Sequence, residues 1–344
     1  MSKFKYSVGP WNVHSGADSY GPATRDEISF EEKVKTFAEM GFSAIQFHDD
    51  DAVPNMNELS IEEIKEEARK VKATLDKYGL AAEFVAPRLW MDPHTTDGGF
   101  MSTSAEDREF AMWRAFRSID IAKELGTNMI VLWLAREGTV CAESKSPVWA
   151  TNALIEAINK MLEYDKEVKV VIEPKPNEPV DRSICGTLGH VMGISSATID
   201  PSRVGGLLES AHAILAGLDP SHEMGFGLAL GKLWGVHLND QNGIKFDQDK
   251  SFGVENLRQA FNQVKVLVEN DYGSKGEYVG LDVKAMRTTK DEQSYKHLEN
   301  SLKICKALED KVAKFDYAYQ QKCVEKRDFE SLEMYTINLL MGLE

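Results

Sequence analysis

Eight short apolar runs, each followed by a longer polar or amphipathic stretch, recur along the 344-residue chain. They are Lys5–Val8, Ala44–Phe47, Ala82–Val85, Met129–Trp133, Lys169–Ile172, Val204–Leu208, Leu233–Leu238 and Tyr278–Val283. A strand buried on both faces, as in a parallel sheet covered by helices, reads as such a run. Between the runs, helices start and stop at recognisable signals. Phe30–Met40 opens after Ser29 and stops at Gly41, Ile61–Tyr78 stops before Gly79, and Ala105–Leu125 stops at Gly126. Asn152–Tyr164, Val254–Asn270 and Asp291–Lys314 follow the same rule. Strand-then-helix units in such a series predict an α/β chain folded as a (β/α)8 barrel. Residues 1–314 would form the barrel, and residues 315–344 a C-terminal helical tail making subunit contacts. A doubly wound sheet is the rival. The turn after its first strand should be Gly-rich, whereas here it reads Gly9-Pro10-Trp11.

Composition narrows the partners. With 40 Lys and Arg against 55 Asp and Glu, the formal net charge is -15. Such a surface repels phosphate backbones and anionic membranes, so neither nucleic acid nor membrane is an expected partner. Cys141, Cys185, Cys305 and Cys323 show no CxxC spacing and read as thiols in a reducing compartment. Met1–Tyr6 lacks the apolar core of a secretory signal, and no run approaches the roughly 18 apolar residues of a membrane span. A cytoplasmic location is expected.

Chemistry gathers where the predicted strands end. His48 and Asp49-Asp50-Asp51 follow the second strand, Trp133 ends the fourth, Glu173 the fifth and Glu209 the sixth; His237 and Asp282 lie near the ends of the seventh and eighth. In a barrel these ends share one face and one central pocket. Glu173, Glu209 and Asp282 together could not all stay ionised without a cation, and with His237 they form an oxygen-rich set suited to Mg²⁺, Mn²⁺ or Co²⁺. Any one acid alone would read as a surface loop residue. Glu209-x-x-His212 puts two donors on one helical face. Asp247-x-Asp249 can add two carboxylates, so Glu209 could bridge two ions; by itself such a pair is commonplace in turns. Lys175 follows Glu173 by two residues in a proline-rich segment and can polarise a substrate oxygen, or form a structural ion pair. His48 with Asp51 reads as an acid–base pair. Trp11, Trp90 and Trp133 read as core packing or as aromatic walls for a sugar.

These residues resemble the short, actinobacterial-type xylose isomerases. The matching segments are Phe47-His-Asp-Asp-Asp51, Asp97-Gly-Gly-Phe100, Trp133 with Arg136-Glu-Gly138, Glu173-Pro-Lys-Pro-Asn-Glu-Pro179, Glu209-x-x-His212, Asn239 to Asp249, and Asp282-Val-Lys284. The resemblance implies a metal-dependent aldose–ketose isomerase with two divalent cations, a monosaccharide substrate and a homo-oligomer, dimer or tetramer. His48, oriented by Asp51, would open the sugar ring, and Lys175 would hold the carbonyl oxygen at C1. The first metal would lie among Glu173, Glu209, residue 237 and Asp282, the second among Glu209, His212, Asp247 and Asp249. Trp90 and Trp133 would wall the pocket, and Tyr20 matches an aromatic residue that a neighbouring subunit inserts.

The departures are instructive. His237 stands where the family has aspartate, which lowers the negative charge of the first site by one and shifts preference towards Mn²⁺ or Co²⁺. Histidine here resembles the rhamnose isomerases and ketose 3-epimerases of the same superfamily. Arg88 would bind an anionic substrate group or pair with a local acid, the second being the commoner use. The arm before the last helix is shorter than in the family. Four readings follow: a hydride-shift isomerase, a single-metal epimerase or lyase acting by proton transfer, an endonuclease-like barrel disfavoured by charge, and a non-catalytic sugar binder disfavoured by the His48, Asp51 and Lys175 set.

Overall fold

The structure is a computed structural model and describes residues 4–18 and 20–343. The first three residues of the N-terminal segment read above, and the last residue of the tail, lie outside the described residues. The barrel strands are β1 (Tyr6–Val8), β2 (Ala44–His48), β3 (Ala81–Ala86), β4 (Met129–Trp133), β5 (Lys169–Glu173), β6 (Val204–Glu209), β7 (Leu233–Leu238) and β8 (Val279–Leu281). Each pairs in parallel with its neighbour in sequence, and β8 pairs with β1, so the (β/α)8 barrel expected from the sequence is the fold observed.

The helix signals act through local hydrogen bonds. Ser29 Oγ accepts from the Glu32 amide, and Gly41 takes a left-handed conformation that closes Phe30–Met40. Ile61–Tyr78 and Ala105–Leu125 run as expected. Asn152–Tyr164 extends back to Pro147, because Ser146 caps the helix and Pro147 fits its first turn. The expected Val254–Asn270 helix starts at Leu257, capped by Asn256. The expected Asp291–Lys314 helix splits into a short turn, Asp291–Gln293, and a helix, Lys296–Ala313. Beyond it, Tyr317–Lys326 and Phe329–Met341 form two tail helices. Arg258 bonds Glu333 at 2.8 Å and Leu339 joins the main core, so the tail lies against the Leu257–Glu269 helix of its own chain. No helix among the described residues is long and apolar enough to cross a membrane.

Inside the barrel, Phe84, Ala86, Val131, Val171 and Leu207 form an apolar layer. Beside it, Gln46 Nε2 donates to Ser7 Oγ at 3.1 Å and to Glu83 Oε2 at 3.0 Å. Gly280 has to lack a side chain, because a Cβ there would lie 2.3 Å from that Nε2. The seam between β1 and β8 continues past the strands: the Val283 amide donates to Asn12 Oδ1 at 2.6 Å, and Trp11 Nε1 donates to Asp282 Oδ1 at 2.8 Å.

Candidate active site

Parallel register carries the chemistry to one rim. Trp133 pairs with Glu173, Glu209 pairs with His237, and Asp282 follows the last residue of β8. A cavity of about 360 Å³ opens at these strand ends. It is lined by Trp11, His48, Trp90 and Trp133 on the β1–β4 side and by Glu173, Lys175, Glu209, His212, His237, Asp247, Asp249 and Asp282 on the other.

On the β5–β8 side, donor atoms of Glu173, Glu209, His237 and Asp282 all lie within 4.8 Å of one another. His237 Nδ1 faces Glu173 Oε1 at 3.3 Å, Glu209 Oε2 at 3.5 Å and Asp282 Oδ2 at 3.6 Å. One proton on Nδ1 can satisfy at most one of these oxygens. Both ring nitrogens of His237 are buried without a hydrogen-bond partner. Two donors held about 2.1 Å from one ion lie at most about 4.2 Å apart, and the three separations from His237 Nδ1 fall within that reach, so a divalent cation fits these residues after small side-chain adjustments.

A second set, Glu209, His212 and Asp247, shares Glu209 with the first. His212 Nε2 lies 3.2 Å from Glu209 Oε1 and 3.2 Å from Asp247 Oδ2, while His212 Nδ1 and Asp247 Oδ1 are buried and unpartnered. These orphaned atoms also fit a cation. Asp249, expected beside them, stands outside this set. Its backbone is left-handed at φ 44°, and its carboxylate is taken by Lys284 at 2.8 Å and Asn239 at 3.1 Å. Lys175 Nζ meets Asp247 Oδ2 at 2.9 Å and Glu178 Oε2 at 3.4 Å, and lies 5.2 Å from the centre of the Trp133 ring.

Protons are unevenly shared in this cluster. Burial raises Glu209 well above the usual carboxylate range, with Asp247 and Asp249 adding to the effect. Burial and the Asp247 charge lift Asp249 to about 8. Burial works against the Glu173 charge too, but His237 outweighs it and brings the carboxyl down to about 2. Burial works against the Lys175 charge, and Asp247 outweighs it, so the ammonium is favoured. A metal ion would displace the protons these groups share.

On the β1–β4 side, donor atoms of His48, Asp50 and Asp51 also lie within 4.8 Å of one another, but here each residue is met by a side chain of the protein. Asp49 accepts from Arg114 Nε and Nη2, both at 2.7 Å, and Asp50 accepts from Arg88 Nε at 2.7 Å. Asp51 Oδ2 lies 3.0 Å from His48 Nδ1. Trp11 lies against the His48 ring with centroids 4.2 Å apart, and Trp90 meets Trp133 edge-on at 4.5 Å. Two expected substrate contacts fall elsewhere. Arg88 does not line the cavity; it stands behind His48, turned there by Asp50. Tyr20 is 95% exposed and does not reach the cavity of its own chain. Asn239, Lys284 and Glu178 stand in the matching segments but were given no role from sequence. Asn239 bonds Glu209 at 2.9 Å, and Lys284 and Glu178 line the cavity. Lys284 was signalled by its place two residues after Asp282.

A closed parallel barrel with an acid–imidazole cluster at its C-terminal rim is the class of protein these observations define. The chain belongs to the xylose isomerase-like TIM barrel family, whose description matches residues 34–272. Among solved structures it is similar to a D-tagatose 3-epimerase-like protein, at 16% identity and TM-score 0.65, covering 90% of this chain and 99% of that one. A 3-keto-D-glucoside 4-epimerase from E. coli matches at 17% identity and TM-score 0.62, covering 88% and 99%. A D-psicose 3-epimerase from Clostridium cellulolyticum H10 matches at 10% identity and TM-score 0.62, covering 89% and 99%. At these identities the likeness is one of fold.

Proposed function

We propose that the protein is a metal-dependent aldose–ketose isomerase resembling D-xylose isomerase, acting by a 1,2-hydride shift. The observation that carries this reading is the sharing of Glu209 between two donor sets, with the Lys175 ammonium against the second. Glu173, Glu209, His237 and Asp282 would hold one divalent cation, and Glu209, His212 and Asp247, joined by Asp249 once released from Lys284, a second. Bound there, the cations supply Lewis acidity to sugar oxygens. His237 in place of an anion favours Mn²⁺ or Co²⁺ over Mg²⁺.

The chain's own residues do the rest. Trp11, Trp90 and Trp133 wall the cavity and shield the sugar from water. His48, oriented by Asp51, acts on the closed ring. Lys175 Nζ holds the C1 oxygen with a fixed positive charge. In the isomerisation the C2 hydrogen moves with its electron pair to C1, while the proton on O2 is lost and one is gained on O1. The protein would work in the cytoplasm as a dimer or tetramer, with Tyr20 reaching into a neighbour's cavity and the tail making subunit contacts.

His237 favours a second reading, a sugar epimerase or lyase acting by proton transfer with one cation. Two of the similar structures carry the name of a 3-epimerase. The test is an NMR assay in D₂O with Mn²⁺ and D-xylose, D-glucose, L-rhamnose or D-fructose. Isomerisation without deuterium uptake supports the hydride shift. Deuterium at C2 or C3 overturns it in favour of proton transfer.

A further inference from the structure

Nδ1 of His48 faces two groups that make opposite demands. Asp51 Oδ2 lies 3.0 Å away and can bond only to a protonated Nδ1. Arg88 Nη2 lies 2.7 Å away and can bond only to a bare one, because guanidinium donates and never accepts. A neutral imidazole has one in-plane site at this nitrogen, so one demand fails. Asp51 has other donors: the His48 amide at 3.1 Å on Oδ2 and Arg88 Nη2 at 3.4 Å on Oδ1. The guanidinium, by contrast, is aimed. Its Nε is tied to Asp50 at 2.7 Å, the Arg88 amide donates to Asp49 at 3.3 Å, and its carbon lies 5.7 Å from the Trp90 ring centre. Trp11 on one side of the imidazole and Trp90 at 5.1 Å keep the ring from turning over.

We propose that Arg88 is a positioning residue that fixes the tautomer of His48, with Nδ1 bare towards Arg88 and the proton on Nε2. His48 then meets a cavity ligand as a hydrogen-bond donor. An ether oxygen, such as the ring oxygen of a closed sugar, accepts but never donates, so it is the partner this tautomer selects. That last consequence rests on the sugar reading above; the tautomer does not. Both contacts would be charge-assisted, so geometry decides: the Arg88 contact is shorter, 2.7 Å against 3.0 Å, and its guanidinium is held in place by Asp50. Asp51 accordingly orients His48 through the backbone amide rather than through Nδ1.

The test is a long-range ¹H–¹⁵N correlation spectrum of the full chain with ¹⁵N-labelled histidine. The His48 signals are assigned by their loss in His48→Gln. Wild type is expected to show the Nε2–H tautomer, and Arg88→Met the Nδ1–H tautomer facing Asp51. Nδ1–H or imidazolium in wild type overturns the proposal, and needs no variant to fold. So does an Nε2–H pattern that persists in a folded Arg88→Met. For the substrate side, turnover of an aldose that closes into a six-membered ring is compared with that of glyceraldehyde, which cannot. Arg88→Met should lose about tenfold more on the first, the worth of one hydrogen bond. Equal losses overturn the ring-oxygen assignment. No wild-type turnover of either sugar counts against the isomerase reading and leaves the spectrum to decide the tautomer.

Discussion

On the β1–β4 side of the cavity, Asp49, Asp50 and Asp51 are each met by an arginine or a histidine of the chain. On the β5–β8 side, Glu173, Glu209, Asp247 and Asp282 crowd two histidines, three of whose ring nitrogens are buried without a hydrogen bond. The first arrangement is complete as a protein and holds a shape. The second is incomplete as a protein and calls for something from outside. A buried carboxylate is therefore no guide to function until its partners are counted.

The comparison breaks if removing a carboxylate has the same effect on both sides. Asp49→Ala strands the buried Arg114 and should cost about 3–5 kcal/mol, read from urea denaturation. A loss below 1 kcal/mol would remove the distinction. Lys175→Ala should lower kcat by about 10²–10³-fold or more, the cost of losing a charge aimed at a reacting oxygen. Circular dichroism should be unchanged, and retained activity would end the catalytic role of Lys175.

Mn²⁺ at a hundred times its dissociation constant should stabilise the chain by about 2.7 kcal/mol, reversibly with EDTA. Two ions per chain in a titration support the isomerase, one ion the epimerase. Trp90→Ala should raise KM several-fold with a smaller change in kcat, as about 1 kcal/mol of aromatic contact is lost. The smallest effect sharpens the contrast most. In EDTA, Glu209→Gln should leave the melting temperature unchanged or slightly higher, because burial already favours the neutral acid and Gln replaces it at the same size without a charge to bury. A marked fall would mean that the β5–β8 side is internally matched after all.

The barrel was legible because parallel strands buried on both faces leave plain apolar runs, and because Ser29, Gly41, Gly79 and Gly126 act through the chain's own backbone. Leu188–Ser196 and Pro220–Ala229 were not read as helices. Both are short, and their one buried face is diluted by small or polar residues such as Ser195, Ser221 and Gly227 while Phe226 faces out, so the apolar stripe is weak. In the site, strand-end register told which residues converge. It could not divide Asp49-Asp50-Asp51 among separate partners, since Asp51 turns back to His48 while the partners of Asp50 and Asp49 lie 38 and 65 positions away on other elements. Nor could it show Arg88 turned behind His48, or the left-handed backbone that gives Asp249 to Lys284. Those outcomes depend on side-chain directions in irregular loops, where no period constrains them.

The hydrogen bond from Trp11 to Asp282 joins residues 271 positions apart. It sits beside the donor set, and Asp282 is the last of the four acid and imidazole groups to leave the ribosome. A chain interrupted before this point has three donors, an open seam and an unheld tryptophan. Long-range closures of this kind come late in folding. A cation held by all four groups would therefore report that synthesis has passed Asp282 and that the β1–β8 seam has closed.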